Sequence, residues 1–328
     1  VVKHQLESVL IDLCSKGADI NVKDENGNSP LWTALENNNE DIASILVQYG
    51  CDTVCWGEGP GRCWQTLLHR ALDENNEFIA CFLIRSGCDL NSPRKPSPDG
   101  KGEEEAYDGQ TPLHMACCWG LENVVQTLLE FGADVNVQDS EGKTSLHIAI
   151  INQHSFIISL ILSLPALNLN LKDKNGNTPF ATAMAIKNNK AAKEILNRDS
   201  NAAEKFDSKG FNFLHTAIRK GDIESVLFLL SINVNIHSRV QDVIQATPFH
   251  LAVESGSELI VRNLLLAGAN IEDVTAQKQT VLHIAAEHDH SAICSILLEN
   301  KVNFNAVDVN LNNALHLACQ KGNLATCK

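Results

Sequence analysis

A six-residue string, Thr111-Pro112-Leu113-His114-Met115-Ala116, returns along the chain at a nearly constant interval, and such a period limits the fold more than any single motif. Copies begin at Ser29, Thr66, Thr111, Thr144, Thr178, Asn212, Thr247, Thr280 and Asn313. Five of the eight spacings are 33 or 34 residues and one is 35, while the other two carry insertions. Each copy reads as a helix start. Thr111 accepts free amide hydrogens of a first turn, Pro112 suits the first helical position, and Leu113 and Ala116 share one face. His114 then ties the turn to the helix. The proline recurs as Pro30, Pro179 and Pro248, and the histidine as His69, His147, His215, His250, His283 and His316. Trp32 and Ala181 fill the histidine slot in two copies.

On these residues the chain resembles the ankyrin-repeat family. The resemblance implies an all-α fold: an ankyrin-repeat solenoid of about nine helix-turn-helix repeats with projecting finger loops. The expected domain is one continuous array over residues 1–328, with partial repeats at both ends, as in a fragment of a longer array. The third repeat shows the grammar, with an inner helix from Thr111 to Trp119, a turn at Gly120, and an outer helix from Leu121 to Phe131 stopped by Gly132. Val124, Val125, Leu128 and Leu129 form its apolar stripe, and similar stripes run through Val226–Leu230 and Leu264–Leu266. The segment 134–139 then extends into Glu141-Gly142, the finger. Leu6, Val9, Leu10 and Leu13 have the spacing of an outer helix closed by Gly17. Leu164–Asn170, Lys187–Lys190 and Val240–Ala246 vary the turns without interrupting the stripes.

A repeat array buries a thin continuous core between neighbours, so 328 residues at 44% hydrophobic do not demand two globular domains. No apolar run reaches the ~18 residues of a membrane span, and Val1–Gln5 do not make a signal peptide. Eleven cysteines, scattered through helices and odd in number, fit reduced thiols in a cytosolic compartment. A net charge of −14 disfavours nucleic acid and direct membrane docking by this segment. Proteins are the expected partners.

Two fingers are lengthened. Residues 52–64, rich in glycine with a proline, read as an irregular loop. Cys51, Cys55 and Cys63 with His69 suggest zinc, but their spacing matches no common zinc site and His69 belongs to the repeat motif. The second insertion, 92–106, has almost no apolar content and reads as solvated and mobile. It is either a docking tail or a finger tip that tolerates length.

Seven of the twelve histidines belong to the repeat motif. His288-Asp289-His290 falls at an inter-helix turn without a third ligand, and there is no phosphate-cradling glycine loop. The chain is therefore read as non-enzymatic, with no metal and no cofactor. What remains is the concave surface: the finger tips and the exposed side of each inner helix. That side offers Glu36, Asp73, Glu74, Cys118, Trp119, Ile151, Arg219, Lys220, Glu254, Glu287, Gln320 and Lys321. Candidate partner-binding residues are Trp119, Cys118, Met115, Asp73, Glu74, Arg219, Lys220, Glu254 and Glu287, acidic toward both ends and basic at Arg219 and Lys220. Trp119 either anchors a partner or packs on Trp64 or a neighbouring helix.

Several stretches outside the repeat consensus, Leu68–Glu77, Cys81–Asp89, Asp222–Leu229 and Ile260–Ala269, resemble a narrower family of endosomal Rab effectors that join a BTB domain, a long ankyrin array and a FYVE zinc domain. The similarity is read as covering the whole chain. It implies a scaffold at early endosomes in endocytic trafficking and macropinocytosis, partnered by an early-endosomal Rab GTPase. Membrane attachment would belong to regions outside this segment. The Asn-Pro-Phe string that EH domains read in that family is absent, the nearest being Asn177-Thr178-Pro179-Phe180. The alternative is the ankyrin block of another modular protein, an enzyme or a channel. Finally, Leu13 to Asn21 and Leu128 to Asn136 resemble the pattern used by the ankyrin-directed asparaginyl hydroxylase. Asn136 and Asn21 are thus either modification sites or residues that fix the finger turn.

Overall fold

The computed structural model describes residues 2–96, 98 and 108–327, so most of the second insertion lies outside the described residues. The backbone follows the 33-residue period as pairs of short antiparallel helices, grouped into two compact units divided in the chain after Ala191.

In the first unit α1 (Val2–Ser15) is an outer helix, and four pairs follow. These are α2 (Pro30–Glu36) with α3 (Glu40–Gln48), α4 (Leu67–Asp73) with α5 (Glu77–Arg85), α6 (Pro112–Trp119) with α7 (Glu122–Glu130), and α8 (Ser145–Ile151) with α9 (Ser155–Leu162). The inner helix α10 (Pro179–Ala185) comes next, and α11 (Asn189–Arg198) carries the division between the units. The second unit contains α12 (Phe213–Arg219) with α13 (Ile223–Ser231), α14 (Pro248–Glu254) with α15 (Glu258–Leu266), α16 (Val281–Glu287) with α17 (Ser291–Glu299), and α18 (Ala314–Lys321) with α19 (Leu324–Cys327). Within each unit inner helices pack on inner helices and outer on outer, as α4, α6 and α8 do on one side and α5, α7 and α9 on the other.

Every expected helix start is an N-cap in extended conformation, from Ser29 through Asn313. The turn between inner and outer helix is left-handed in every repeat, at Asn38, Asn75, Gly120, Gln153, Lys187, Gly221, Gly256, Asp289 and Gly322. Lys187 therefore replaces the usual glycine without changing the turn, at a strain cost of about 1 kcal/mol. Gly120 has a second constraint. A Cβ there would sit 2.6 Å from the His154 ring, which reaches across from the next repeat.

Each outer helix buries one stripe. Val124, Val125 and Leu128 are fully buried, and Thr127, its hydroxyl donating to the Asn123 carbonyl at 2.7 Å, completes the face instead of Leu129. Fully burying such an aliphatic side chain is worth ~1.5–3 kcal/mol. The expected stripe over Leu264–Leu266 narrows to Leu264, because Leu266 points outward and is 86% exposed. Leu6, Val9 and Leu13 of α1 are also exposed.

The first insertion is ordered, contrary to the irregular loop expected from its glycines. Gly57–Glu58 (β1) pairs antiparallel with Trp64–Gln65 (β2) around a 3-10 turn at Pro60–Arg62. The second insertion begins docked, contrary to the solvated segment expected from its composition. Lys95 exchanges two backbone hydrogen bonds with Trp64, at 2.7 and 2.9 Å, and its ammonium lies 4.4 Å from the Trp56 ring centroid.

Candidate interaction face

Five of the seven repeat histidines are bound on both ring nitrogens, and their partners decide the tautomer. In α8 the Thr144 backbone N–H donates to His147 Nδ1 at 3.1 Å, so Nδ1 is an acceptor. Nε2 faces the Asn177 carbonyl at 3.0 Å, which only accepts, so Nε2 carries the hydrogen. His69, His114, His215 and His283 repeat this pattern toward Gln110, Lys143, Ser238 and Asn312. Each histidine thereby joins its own helix start to the far end of the following finger. Thr144 Oγ1 lies 2.8 Å from Nδ1 but 3.5 Å from the His147 amide, so the threonine serves the ring more closely than the first turn. Burial first, with the Arg94 charge second, lowers the His69 pKa to about 4, and burial lowers that of His250 to about 4. The five imidazoles bound at both nitrogens have no free ring nitrogen for proton transfer or metal.

The thiols are equally quiet. Burial pushes Cys51 and Cys294 up to about 11 and Cys88 up to about 12, and it raises Cys117 further still. No group of three metal-ligating side chains converges among the described residues. His288 and His290 stack on each other with centroids 5.9 Å apart, and His290 Nε2 meets the Glu254 carbonyl at 3.2 Å. His154 does the same to the Cys118 carbonyl at 3.3 Å. These two turn histidines link a repeat to its predecessor, a role their polar surroundings in sequence did not reveal.

The exposed ends of the inner helices are modified by ion pairs. In the first unit Asp73 receives a short hydrogen bond from Arg94, whose guanidinium also donates to Asp108 at 3.1 Å and to Gln65 Oε1 at 3.1 Å. The Arg94 side chain is only 11% exposed. Burial works against its charge, but Asp73 and then Asp108 hold its pKa above the usual arginine value. Asp73 is thus part of an internal clamp and is removed from the free acidic surface expected of it. Glu74 pairs with Arg70 at 2.9 Å, and Arg70 also lies 4.0 Å over the Trp32 ring. Met115 is buried at 1% and faces the core, so it too leaves the expected partner-binding set.

Trp119 stands clear. It is 60% exposed at the end of α6. Beside it Cys118 is half-buried, and on α8 Ile151 is 41% exposed. In the second unit Arg219 stacks over Phe211 at 4.5 Å, Lys220 and Glu254 are exposed, and Glu287 pairs with Lys321 at 3.2 Å.

Asn21 and Asn136 bridge repeats. Asn136 Oδ1 accepts from the Asn168 amide at 2.8 Å while its Nδ2 donates to the Ala166 carbonyl at 2.9 Å. Asn21 Oδ1 accepts from the Asp52 amide at 2.8 Å, and Asn91 treats Asp134 likewise. The asparagine expected to fix its own finger turn instead holds the next one.

Comparison with known proteins agrees with this geometry. A family profile for ankyrin repeats in three copies matches residues 1–94, 97–173, 157–240 and 247–328. Rabankyrin-5 of Mus musculus is 62% identical over 234 residues and that of Homo sapiens 62% over 231, covering 71% and 70% of this chain. These alignments are narrower than the whole-chain similarity expected, and the chain spans about a fifth of either relative, 20% of its length. The human transient receptor potential cation channel subfamily A member 1 is 28% identical over 51% of the chain and 15% of its own. A crystal structure of the ankyrin repeat domain of Bcl-3, a member of the IkappaB protein family, superposes with a TM-score of 0.53 at 23% identity, covering 64% of this chain and 94% of that one. Among the described residues no helix is long and apolar enough to cross a membrane. With the repeated helix starts, the histidine links and the matching profile all in register, the chain belongs to the ankyrin-repeat family.

Proposed function

We propose that this chain is a non-catalytic protein-interaction segment of an early-endosomal Rab effector, acting in endocytic trafficking and macropinocytosis. The observation that carries the reading is the 62% identity to Rabankyrin-5, whose name marks it as an ankyrin protein of the Rab system. The ankyrin block of a channel has weaker support, 28% identity over half the chain. The direct partner is a protein, an early-endosomal Rab GTPase, and endosomal attachment lies in other regions of the longer protein.

On this reading the binding face of the first unit centres on Trp119, flanked by Cys118, Ile151 and Glu74. An aromatic side chain 60% exposed on a rigid helix end pays little entropy on binding and offers a large apolar area. The contribution of the second unit comes from Arg219, Lys220, Glu254 and Glu287. The test is calorimetric titration of the purified chain with an early-endosomal Rab loaded with GTP analogue or GDP. Trp119→Ala should weaken binding of the GTP form by about 2 kcal/mol with the fold retained. Failure to bind in either nucleotide state removes the Rab reading, and equal affinity in the variant removes this face.

A further inference from the structure

Six serine or threonine residues precede a proline: Ser29, Ser92, Ser97, Thr111, Thr178 and Thr247. Four of them are helix N-caps inside the repeats. Of the other two, Ser97-Pro98 has Gly100 three places after the serine, whereas Ser92-Pro93-Arg94-Lys95 sets a lysine there. A hydroxyl, a proline beside it and a cation three places on is the pattern that proline-directed Ser/Thr kinases read. Such a kinase takes its substrate extended and offers no acceptor to the backbone N–H that follows the hydroxyl. Proline has no such N–H, and it holds Ser92 in extended conformation. The lysine then meets an anionic group of the kinase.

The fold uses every part of this string internally. Ser92 is half-buried and lies outside any helix or strand. Its hydroxyl donates to Asp89 Oδ2, while the Asn91 and Ser92 amides donate to Asp89 Oδ1 at 2.9 and 3.2 Å. Chiefly through the Ser92 hydroxyl, the Asp89 carboxyl is held below the usual carboxylate range, so a negative charge faces Ser92 Oγ. Two places on, the Arg94 amide donates to the Gln110 carbonyl at 2.9 Å, and its guanidinium is held by Asp73, Asp108 and Gln65. Lys95 is paired with the Trp64 backbone and lies over the Trp56 ring. The backbone and the lysine that a kinase reads are therefore occupied while the segment is docked.

We propose that Ser92 is a phosphorylation site for a proline-directed kinase, and that the phosphate holds the start of the second insertion off the array. In the transfer Ser92 Oγ attacks the γ-phosphorus of ATP. The new O–P bond forms as the bond to the β,γ-bridging oxygen breaks, ADP leaves with that electron pair, and the hydroxyl proton passes to the kinase's catalytic carboxylate. The product has no hydrogen to donate to Asp89 and sets a charge of about −1.5 to −2 against it. The same phosphate competes with Asp73 and Asp108 for the Arg94 guanidinium two residues away. Both effects favour the lifted segment, while the helices stay folded because a repeat array opens locally. Neither Trp119 nor a GTPase takes part, so the site is independent of the Rab reading.

The purified chain is incubated with a cyclin-dependent kinase and ATP, with site and initial rate read by peptide mass spectrometry and hydrogen exchange measured before and after. Phosphate should appear on Ser92. Arg94→Met opens the clamp but keeps the serine, proline and lysine, and it should raise the rate about tenfold or more. Asp73→Asn opens the clamp without touching the string and should act in the same direction. On the Arg94→Met background, where docking no longer competes, Lys95→Ala should slow the reaction about tenfold. In the phosphorylated wild type the Trp64 and Lys95 amides should exchange about tenfold faster or more with those of α6 and α7 unchanged, and in Ser92→Ala they should stay protected after the same treatment. No phosphate on Ser92 in the wild type or in either opened variant, or phosphate on Ser97 alone, would overturn the site. Equal rates in the wild type and both opened variants, or phosphorylation that leaves Trp64 and Lys95 exchange unchanged, would overturn the release of the segment.

Discussion

Arg94→Met removes one guanidinium and leaves the aliphatic stem, and it tests the clamp that docks the second insertion. Arg94 bonds Asp73, Asp108 and Gln65, and the Arg94 and Asp73 side chains are 11% and 18% exposed. The second oxygen of Asp73 is buried with no partner of its own. Breaking one side of a buried ion pair costs ~3–5 kcal/mol, mostly because the remaining charge is stranded. Asp108 is 34% exposed and water takes over part of its share, which places the variant near the lower end, about 3 kcal/mol. Because a repeat protein opens locally, hydrogen exchange is the better assay than global unfolding. The Trp64 and Lys95 amides, paired with each other across the two insertions, should lose protection by about a hundredfold. Asp73→Asn on the Arg94→Met background should cost much less than on the wild type. Unchanged exchange at Trp64 and Lys95, or single effects that add within ~0.5 kcal/mol, would refute the clamp.

Gly120→Ala should destabilise by more than Gly132→Ala in thermal melts: both strain a left-handed backbone, but only the former meets the His154 ring, and the former should recover in part on a His154→Ala background. Acidification should lower the melting temperature between pH 6.5 and about 4. The buried neutral histidines, led by His69 and His250, have folded pKa values below the unfolded one, so their stabilisation is complete above pH 6.5 and is lost as pH falls toward about 4. A melting temperature flat over that window would contradict the lowered pKa values of His69 and His250. We propose hydroxylation of Asn136 and Asn21 by an asparaginyl hydroxylase. Peptide mass spectrometry with and without the co-expressed enzyme should show a gain of one oxygen at Asn136, and an unmodified residue in both leaves only its bridge to Asn168 and Ala166.

The helix starts were legible in the sequence because everything that makes them is local. Cap, proline and histidine sit within four residues, so Thr144 and His147 meet whatever surrounds them. Composition misled where a single distant contact outweighs it. Residues 92–96 look solvated by content, yet Arg94 finds one acid 21 residues upstream and another 14 downstream, and that pairing docks the segment. Helical spacing also leaves a rotation undecided. Met115 and Trp119 are one turn apart on α6, yet the first is buried and the second exposed. The links made by His154, His290, Asn21 and Asn136 join residues about one repeat apart, and only the stacking of one repeat on the next brings them within hydrogen-bond reach. The local grammar thus determined which fold forms, whereas which side chains remain for a partner was decided by the contacts between repeats, because exposure is set by neighbours that no local pattern encodes.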